Sequence, residues 1–234
     1  MSIGIIGAME EEVKEILNFV EVKETKEVAG CLFHKGVLQG TEVVVLQSGI
    51  GKVNAAMATT ILQERYHPKY VINTGSAGGF DPDLQVGDII ISNVVTHHDV
   101  DVTAFNYEYG QVPGMPIVFE AHIELQRIAR QAIEQLPQSI QVKTGMIASG
   151  DTFMEDAQKV NTVREQFPKV LCVEMEAAAI AQVCHVYKTP FVIIRSLSDI
   201  AGKESSISFD SYLEKAAKNS AQLISFMVER INQK

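Results

Sequence analysis

Apolar and polar positions alternate along this chain with two periods, and the switches between them mark out its elements. A short apolar run at 3–6 ends in Gly7 and reads as a buried strand. Ala8-Met9-Glu10-Glu11-Glu12 then opens a helix with Val13, Ile16 and Leu17 on one face. Residues 22–46 read as antiparallel strands punctuated by Gly30, Gly36 and Gly40, with a hairpin turn expected at Gly40-Thr41. Further strands are expected at 71–74, 87–96 and 142–149, and helices at 53–66, 122–136 and 156–166. The last helix is expected to start at Ser208 or Ser211 and run to Asn232, because Ser211-x-x-Glu214 fits a capping box.

The stretch 171–199 reads as one βαβ unit. Leu171, Cys172 and Val173 lead into Glu174-Met175-Glu176. An alanine-rich helix follows, and a second apolar run at 191–194 ends in Arg195, Ser196, Ser198 and Asp199. Strands that are apolar throughout belong to sheets covered on both faces. Ligands of open parallel sheets sit beyond the carboxyl ends of the strands. Both carboxyl ends here carry ionisable groups, so a site holding Glu174, Glu176, Arg195 and Asp199 is expected. Glu12 stands one turn after Ala8, near another strand end, and is the acid of its trio expected to face a site. Glu10 and Glu11 read as solvated partners of the helix dipole.

Small residues follow two other strands. Ser48-Gly49-Ile50-Gly51-Lys52 and Gly75-Ser76-Ala77-Gly78-Gly79 would let backbone approach a small molecule. Neither is a phosphate loop, and the third glycine of a dinucleotide fingerprint is replaced by Asn54. Ser76 lacks the G-x-S-x-G context of a serine nucleophile. His97-His98-Asp99 suggests a metal site by residue type, but adjacent histidines on an extended segment point to opposite sides. The long segment 102–116 carries Phe105, Tyr107 and Tyr109 and reads as a binding or interface loop.

Composition narrows the class. The chain has 234 residues, 46% hydrophobic and 21% charged, which suits one α/β domain spanning 1–234. A net charge of −9 argues against nucleic acid or an anionic membrane as partner. Three cysteines without metal spacing, and no secretory or membrane-spanning run, point to a cytoplasmic protein.

Seven segments in order resemble one family: 4–12, 48–52, 73–79, 101–105, 149–151, 173–177 and Ser198-Asp199. They are similar to the 5′-methylthioadenosine/S-adenosylhomocysteine nucleosidases of the nucleoside phosphorylase superfamily. The resemblance implies a three-layer α/β/α sandwich around a central mixed β-sheet. It also implies a homodimer, no cofactor, no metal, and hydrolysis of the N-glycosidic bond of 5′-thio-substituted adenine nucleosides. By the same resemblance Asp199 would protonate adenine N7, steadied by Ser198, with its pKa raised by desolvation. Glu12 would orient the attacking water, with Ser76, Arg195 and Glu174 around it. Glu176 would hold the ribose hydroxyls and Met175 would pack under the sugar. Phe153 would stack on adenine and backbone at Phe153 and Met154 would read its edge, with Ala77 and Gly78 among the substrate-binding residues. Met9, Ile50 and Phe209 would line an apolar 5′ pocket, which Val102, Phe105 and Pro113 of a neighbouring subunit would close. Thr152, Met154 and Ser196-Leu197 depart from the family's usual residues. The rival on the same fold is a phosphorylase, but phosphate sites want arginine or a nest of N–H groups, and the corresponding stretches hold Met9 to Glu12 and Asn73. A non-catalytic nucleoside-binding module would be expected to lack Glu12 or Asp199, and both are present.

Overall fold

A computed structural model describes residues 2–136, 140–202 and 205–233, with the side chains of 205–211 and 215 left aside. In chain order the elements are β1 (Ser2–Gly7), α1 (Glu10–Leu17), β2 (Glu21–Val28), β3 (Cys31–Leu38), β4 (Thr41–Gln47), α2 (Lys52–Tyr66), β5 (Tyr70–Gly79) and β6 (Ile89–His97). There follow β7 (Phe119–Glu120), α3 (Ile123–Ile133), β8 (Val142–Ser149), α4 (Ala157–Gln166), β9 (Val170–Glu174), α5 (Ala177–Tyr187), β10 (Phe191–Ile200) and α6 (Ser205–Asn232).

The strands form one mixed sheet in the order β10-β6-β8-β9-β5-β1-β4-β3-β2, with β7 on β6. Because β10 also pairs with β5, strands β5, β10, β6, β8 and β9 close into a ring, and the others extend from it as an open wing. The wing ends in β2, whose Glu-Val-Lys-Glu-Thr-Lys-Glu-Val sequence leaves nearly every residue exposed. Charged side chains on an edge strand discourage pairing with another chain. Both hairpins of the wing use two-residue turns with positive φ at each position: Ala29-Gly30 (52° and 77°) and Gln39-Gly40 (49° and 74°). That geometry matches the twist of the strands, and it moves the expected Gly40-Thr41 turn back by one residue.

Helices cover the sheet from two sides. Helix α6 packs on β10 and β5 and against α1 and α3, while α2 and α5 pack together on the other face. One large apolar core runs through these layers. A second cluster joins Val160, Val163 and Phe167 around α4 to Phe80, Met154 and Val173 beside the open end of the ring. Helix α6 starts at Ser205, so Ser211 and Glu214 lie within it and do not form its capping box.

The 171–199 stretch does not form a βαβ unit with neighbouring parallel strands. Both β9 and β10 border β5, but β10 runs parallel to it and β9 antiparallel. Strand β5 is long enough to pair with β10 over most of its length and with β9 through Gly78 and Gly79 only. An apolar run reports burial on both faces, not the direction of its neighbour. Strand β10 also continues past the expected end at Ile194, with Arg195, Ser196, Leu197 and Ser198 all buried.

The segment after β6 is laced to the sheet. Asp101 accepts hydrogen bonds from the Thr103 N–H and hydroxyl, Gly110 N–H donates to Val100 O, and Thr96 Oγ1 donates to Ile117 O. Gly110 has φ of +89°, and a Cβ there would lie 2.5 Å from His97 O and 3.0 Å from the Phe167 ring. Gly110→Ala is therefore expected to destabilise the fold by about 1–3 kcal/mol through strain and overpacking, read as a lower urea midpoint with an unchanged slope.

Candidate active site

The site lies at the open end of the ring, where β1, β5, β9 and β10 turn into loops or helices. At the end of β1 the chain enters α1 through Ala8 and Met9. Their N–H groups have no helical partner, and the Glu12 side chain turns back to accept both, Ala8 at 2.9 Å and Met9 at 3.1 Å on Oε2. Its Oε1 accepts the Ser76 N–H at 2.9 Å and the Ser76 hydroxyl at 3.3 Å. Four donors thus hold a carboxylate that is 4% exposed. Glu10 and Glu11 face solvent, as a dipole role requires. Gly75 makes room for this arrangement, since a Cβ there would sit 2.7 Å from Glu12 Oε1 and 3.0 Å from the Arg195 guanidinium.

Arg195 is the largest fully buried side chain among the described residues. Its guanidinium donates to Asn73 Oδ1 at 2.7 Å and to the Glu174 carboxylate, and it lies 3.9 Å from Glu176 Oε2. Glu174 also accepts from the Ser149 hydroxyl and from the N–H groups of Glu176 and Ala177. Burial alone would push the Glu174 carboxyl up, but the Arg195 charge and these hydrogen bonds more than reverse that and hold it below the ordinary carboxylate range. Glu176 fares differently. Burial and then the neighbouring Glu174 charge push it from 4.5 up to about 8, against the opposing pull of Arg195 and of the Gly51 N–H, which donates to Oε1 at 2.8 Å.

Asp199 is 3% exposed, and the Ser198 hydroxyl donates to its Oδ1 at 2.8 Å. Gly78 leaves space beside it, because a Cβ there would stand 3.2 Å from Asp199 Oδ2. Between Asp199 and Glu12 opens a cavity of about 320 Å³, near the lower end of the range for small-molecule sites.

Of the residues expected from sequence, Met9, Glu12, Ile50, Ser76, Ala77, Gly78, Phe153, Met154, Glu174, Met175, Glu176, Ser198 and Asp199 line this cavity. Phe153 and Ile50 stand at its mouth, 44% and 52% exposed. Arg195 does not line it and instead acts from behind Glu174 and Glu176. The Phe209 side chain lies outside the described residues. Val102, Phe105 and Pro113 are absent from the cavity wall of their own chain, and Phe105 is 74% exposed. The two histidines take different partners: His97 Nε2 bonds to Gln182 Oε1 at 3.0 Å, while the His98 ring lies on Gly150.

Thr152, one of the departures from the family's residues, also lines the cavity, whereas Ala8 and Val173 in its wall, and Ser149 and Asn73 as supports of Glu174 and Arg195, were not expected from the sequence. The available signal was weak: small polar residues at strand ends, which also occur in ordinary turns.

The raised Glu176 has a definite sign for stability. Between about 4.5 and about 8 the folded chain binds a proton that the unfolded chain releases, so stability falls as pH rises through that window. Glu174, held low, acts in the opposite sense, with its contribution lost only as pH falls below the ordinary carboxylate range. Relative to Glu176→Gln, the urea midpoint of the ligand-free wild type is expected to fall as pH rises from 5 to 8, a comparison that cancels the opposing rise from His97 and His98, whose imidazoles burial holds below their ordinary range.

The phosphorylase superfamily model matches residues 2–229 of this chain. A 5′-methylthioadenosine/S-adenosylhomocysteine nucleosidase of Bacillus thuringiensis (strain Al Hakam) is 59% identical over 231 residues, covering 99% of this chain and 100% of its own. The crystal structure of such a nucleosidase from Colwellia psychrerythraea 34H in complex with adenine superposes with a TM-score of 0.95 at 55% identity, covering 97% of this chain and 94% of that one. The nucleosidase of Neisseria meningitidis in complex with methylthio-immucillin-A gives a TM-score of 0.95 at 44% identity, covering 98% and 99%. The chain belongs to the phosphorylase superfamily and, within it, to the 5′-methylthioadenosine/S-adenosylhomocysteine nucleosidases.

Proposed function

We propose that this protein hydrolyses the N-glycosidic bond of 5′-methylthioadenosine, S-adenosylhomocysteine and 5′-deoxyadenosine, releasing adenine and the corresponding 5-substituted ribose or 5-deoxyribose. The observation that carries the reading is the make-up of the cavity wall. Its wall holds the carboxyls of Glu12, Glu174, Glu176 and Asp199 and, among the described residues, no lysine or arginine. The nearest guanidinium, Arg195, is already engaged by Glu174 and Asn73. A wall without a cation gives phosphate no partner, and the Glu12 carboxylate favours positive charge in the bound molecule.

Breaking the bond of an adenine nucleoside places positive charge on the ribose as an oxocarbenium ion forms, much as in other glycoside cleavages. Adenine leaves easily only when neutral, so a proton must reach its N7. In this reading the base stacks on Phe153 and Asp199 supplies that proton, with Ser198 fixing the rotation of its carboxyl. The ribose lies over Met175 with its hydroxyls on Glu176. Glu12 receives the attacking water. The Ser76 hydroxyl makes the longest of the four hydrogen bonds to Glu12, at 3.3 Å, so it is the one a water would displace. That water adds to C1′, its proton passes to Glu12, and the proton spent by Asp199 departs on adenine. The scheme uses water as the only co-reactant, with neither a metal nor a cofactor. Met9, Ile50 and the Phe209 position would make the 5′ end apolar.

The same reading takes residues 1–234 as one domain and the active form as a homodimer. Val102, Phe105 and Pro113 would close the 5′ end of the partner's site, which accounts for their absence from their own. An exposed Phe105, Val53 (78%) and Ile117 (38%) give the surface apolar area for association. A cytoplasmic location is supported by three buried free cysteines and, among the described residues, no helix long and apolar enough to cross a membrane.

Adenine release from 5′-methylthioadenosine is expected in phosphate-free buffer with free methylthioribose as product, and a requirement for phosphate with formation of a sugar 1-phosphate would replace hydrolysis by phosphorolysis. Asp199→Asn should lower kcat on the order of 10²–10⁴-fold with an unchanged circular dichroism spectrum. Sedimentation should give the mass of two chains. Phe105→Ala should raise KM for 5′-methylthioadenosine about 10-fold, the effect of roughly 1.4 kcal/mol, while leaving affinity for adenine alone unchanged.

A further inference from the structure

Helix α2 begins without an acidic residue in its first turn, and its first residue is a lysine, the wrong charge for the positive end of a helix dipole. The opening N–H groups must still find acceptors. They find them on two other segments. Gly51 N–H donates to Glu176 Oε1 at 2.8 Å, and Lys52 N–H donates to Asp151 Oδ1 at 2.8 Å. Asp151 belongs to the loop after β8 that carries Phe153, so it caps α2 from a segment 99 residues away in sequence.

A third segment locks this cap. Asp99 Oδ2 accepts the Asp151 N–H at 2.9 Å, and Asp99 Oδ1 accepts Lys52 Nζ at 2.5 Å. The Lys52 and Asp99 side chains are 19% and 26% exposed, so water reaches the ion pair only in part. Asp99, Asp151 and Lys52 therefore close a ring of three hydrogen bonds. The packing beneath leaves it little play. His98 N–H donates to Ser149 O at 2.8 Å, and the His98 ring covers Gly150 so closely that a Cβ there would lie 2.3 Å from it. A Cβ on Gly51 would lie 3.1 Å from Asp151 Oδ1.

We propose that Asp99, Asp151 and Lys52 are positioning residues, which hold the Phe153 loop against the Ile50-Gly51 segment so that the stacking ring and Glu176 face one ligand together. This rests on the proposed reading that Phe153 meets adenine and Glu176 meets the ribose. None of the three residues touches the cavity. Their loss leaves Glu12 and Asp199 in place and lowers the fraction of molecules with a formed binding wall. Affinity then falls in proportion to that fraction, while the rate of the bound complex is kept. Loss of uniform binding of this kind raises KM and spares kcat.

The experiment compares wild type, Asp99→Ala, Asp99→Asn and Lys52→Arg, using 5′-methylthioadenosine for kinetics and adenine for calorimetry. Active sites are titrated with a tight-binding inhibitor. Asp99→Ala is expected to raise KM and the adenine Kd about 10-fold, with kcat per active site within about 3-fold of wild type. Asp99→Asn should show a smaller effect in the same sense, since it keeps an acceptor for the Asp151 N–H. Lys52→Arg, which keeps the charge, should stay near wild type. A merely structural role would lower the melting temperature and the active fraction but leave KM per active site unchanged. That result in both Asp99 variants, or a fall in kcat as large as the rise in KM, overturns the proposal. Should Asp99→Ala not fold, Asp99→Asn and the adenine titration decide. Failure of the wild type to hydrolyse 5′-methylthioadenosine would overturn the functional reading instead, and the adenine Kd would still report on the clamp.

Discussion

One guanidinium, Arg195, is fully buried beside Glu174 and within 4 Å of Glu176, and much of the site depends on it. Buried ion pairs rarely add net stability, because desolvating two charges offsets their attraction. Their value lies in what they force on their surroundings. Here Arg195 draws Glu174 below its ordinary range, while burial and then the Glu174 charge leave Glu176 raised to about 8 against the weaker pull of Arg195. Two glutamates separated by one methionine thus end with opposite perturbations. The difference comes from partners: Glu174 collects a guanidinium, a hydroxyl and two N–H groups, and Glu176 collects one N–H and a distant guanidinium.

The same economy of donors governs Glu12. Four hydrogen bonds fix it, and three of them come from backbone N–H groups at the end of β1 and in β5. Backbone donors cannot rotate away, so the carboxylate orientation follows from the register of β1 against β5. That register pairs Ile6 with Asn73, whose side chain in turn bonds both Ile6 O and Arg195. Fold and site are therefore continuous. The glycines at 75 and 78 belong to this logic, because each leaves space that a carboxylate or guanidinium occupies.

The ring closure of the sheet explains why residues so far apart in sequence converge. Strand β5 pairs with β1, β10 and β9 at once, so Glu12, Ser76, Glu174, Glu176 and Asp199 reach one cavity from four strand ends. Loops then complete it from outside, with the Ile50 segment and the Phe153 loop tied together through hydrogen-bonded carboxylates.

Periodicity and punctuation in the sequence were enough to determine the existence and type of nearly all the elements. Alternation of two and of three to four positions reports which faces are buried, and glycines punctuate the chain at turns and at close approaches. The acids at strand ends and the small-residue turns were equally legible, since strand ends of α/β proteins face ligands for topological reasons, and Glu12 could be separated from Glu10 and Glu11 by its phase on α1. Other features were decided by tertiary structure alone. The opposite directions of β9 and β10 depend on pairing with a shared third strand, which no local run encodes. Whether Arg195 lines the cavity or stands behind it depends on which face of β10 meets Glu174. Ser149 and Asn73 matter only through contacts across 25 and 122 residues. Local chemistry can be read along a chain, but hydrogen-bond partners and desolvation are properties of the packed interior.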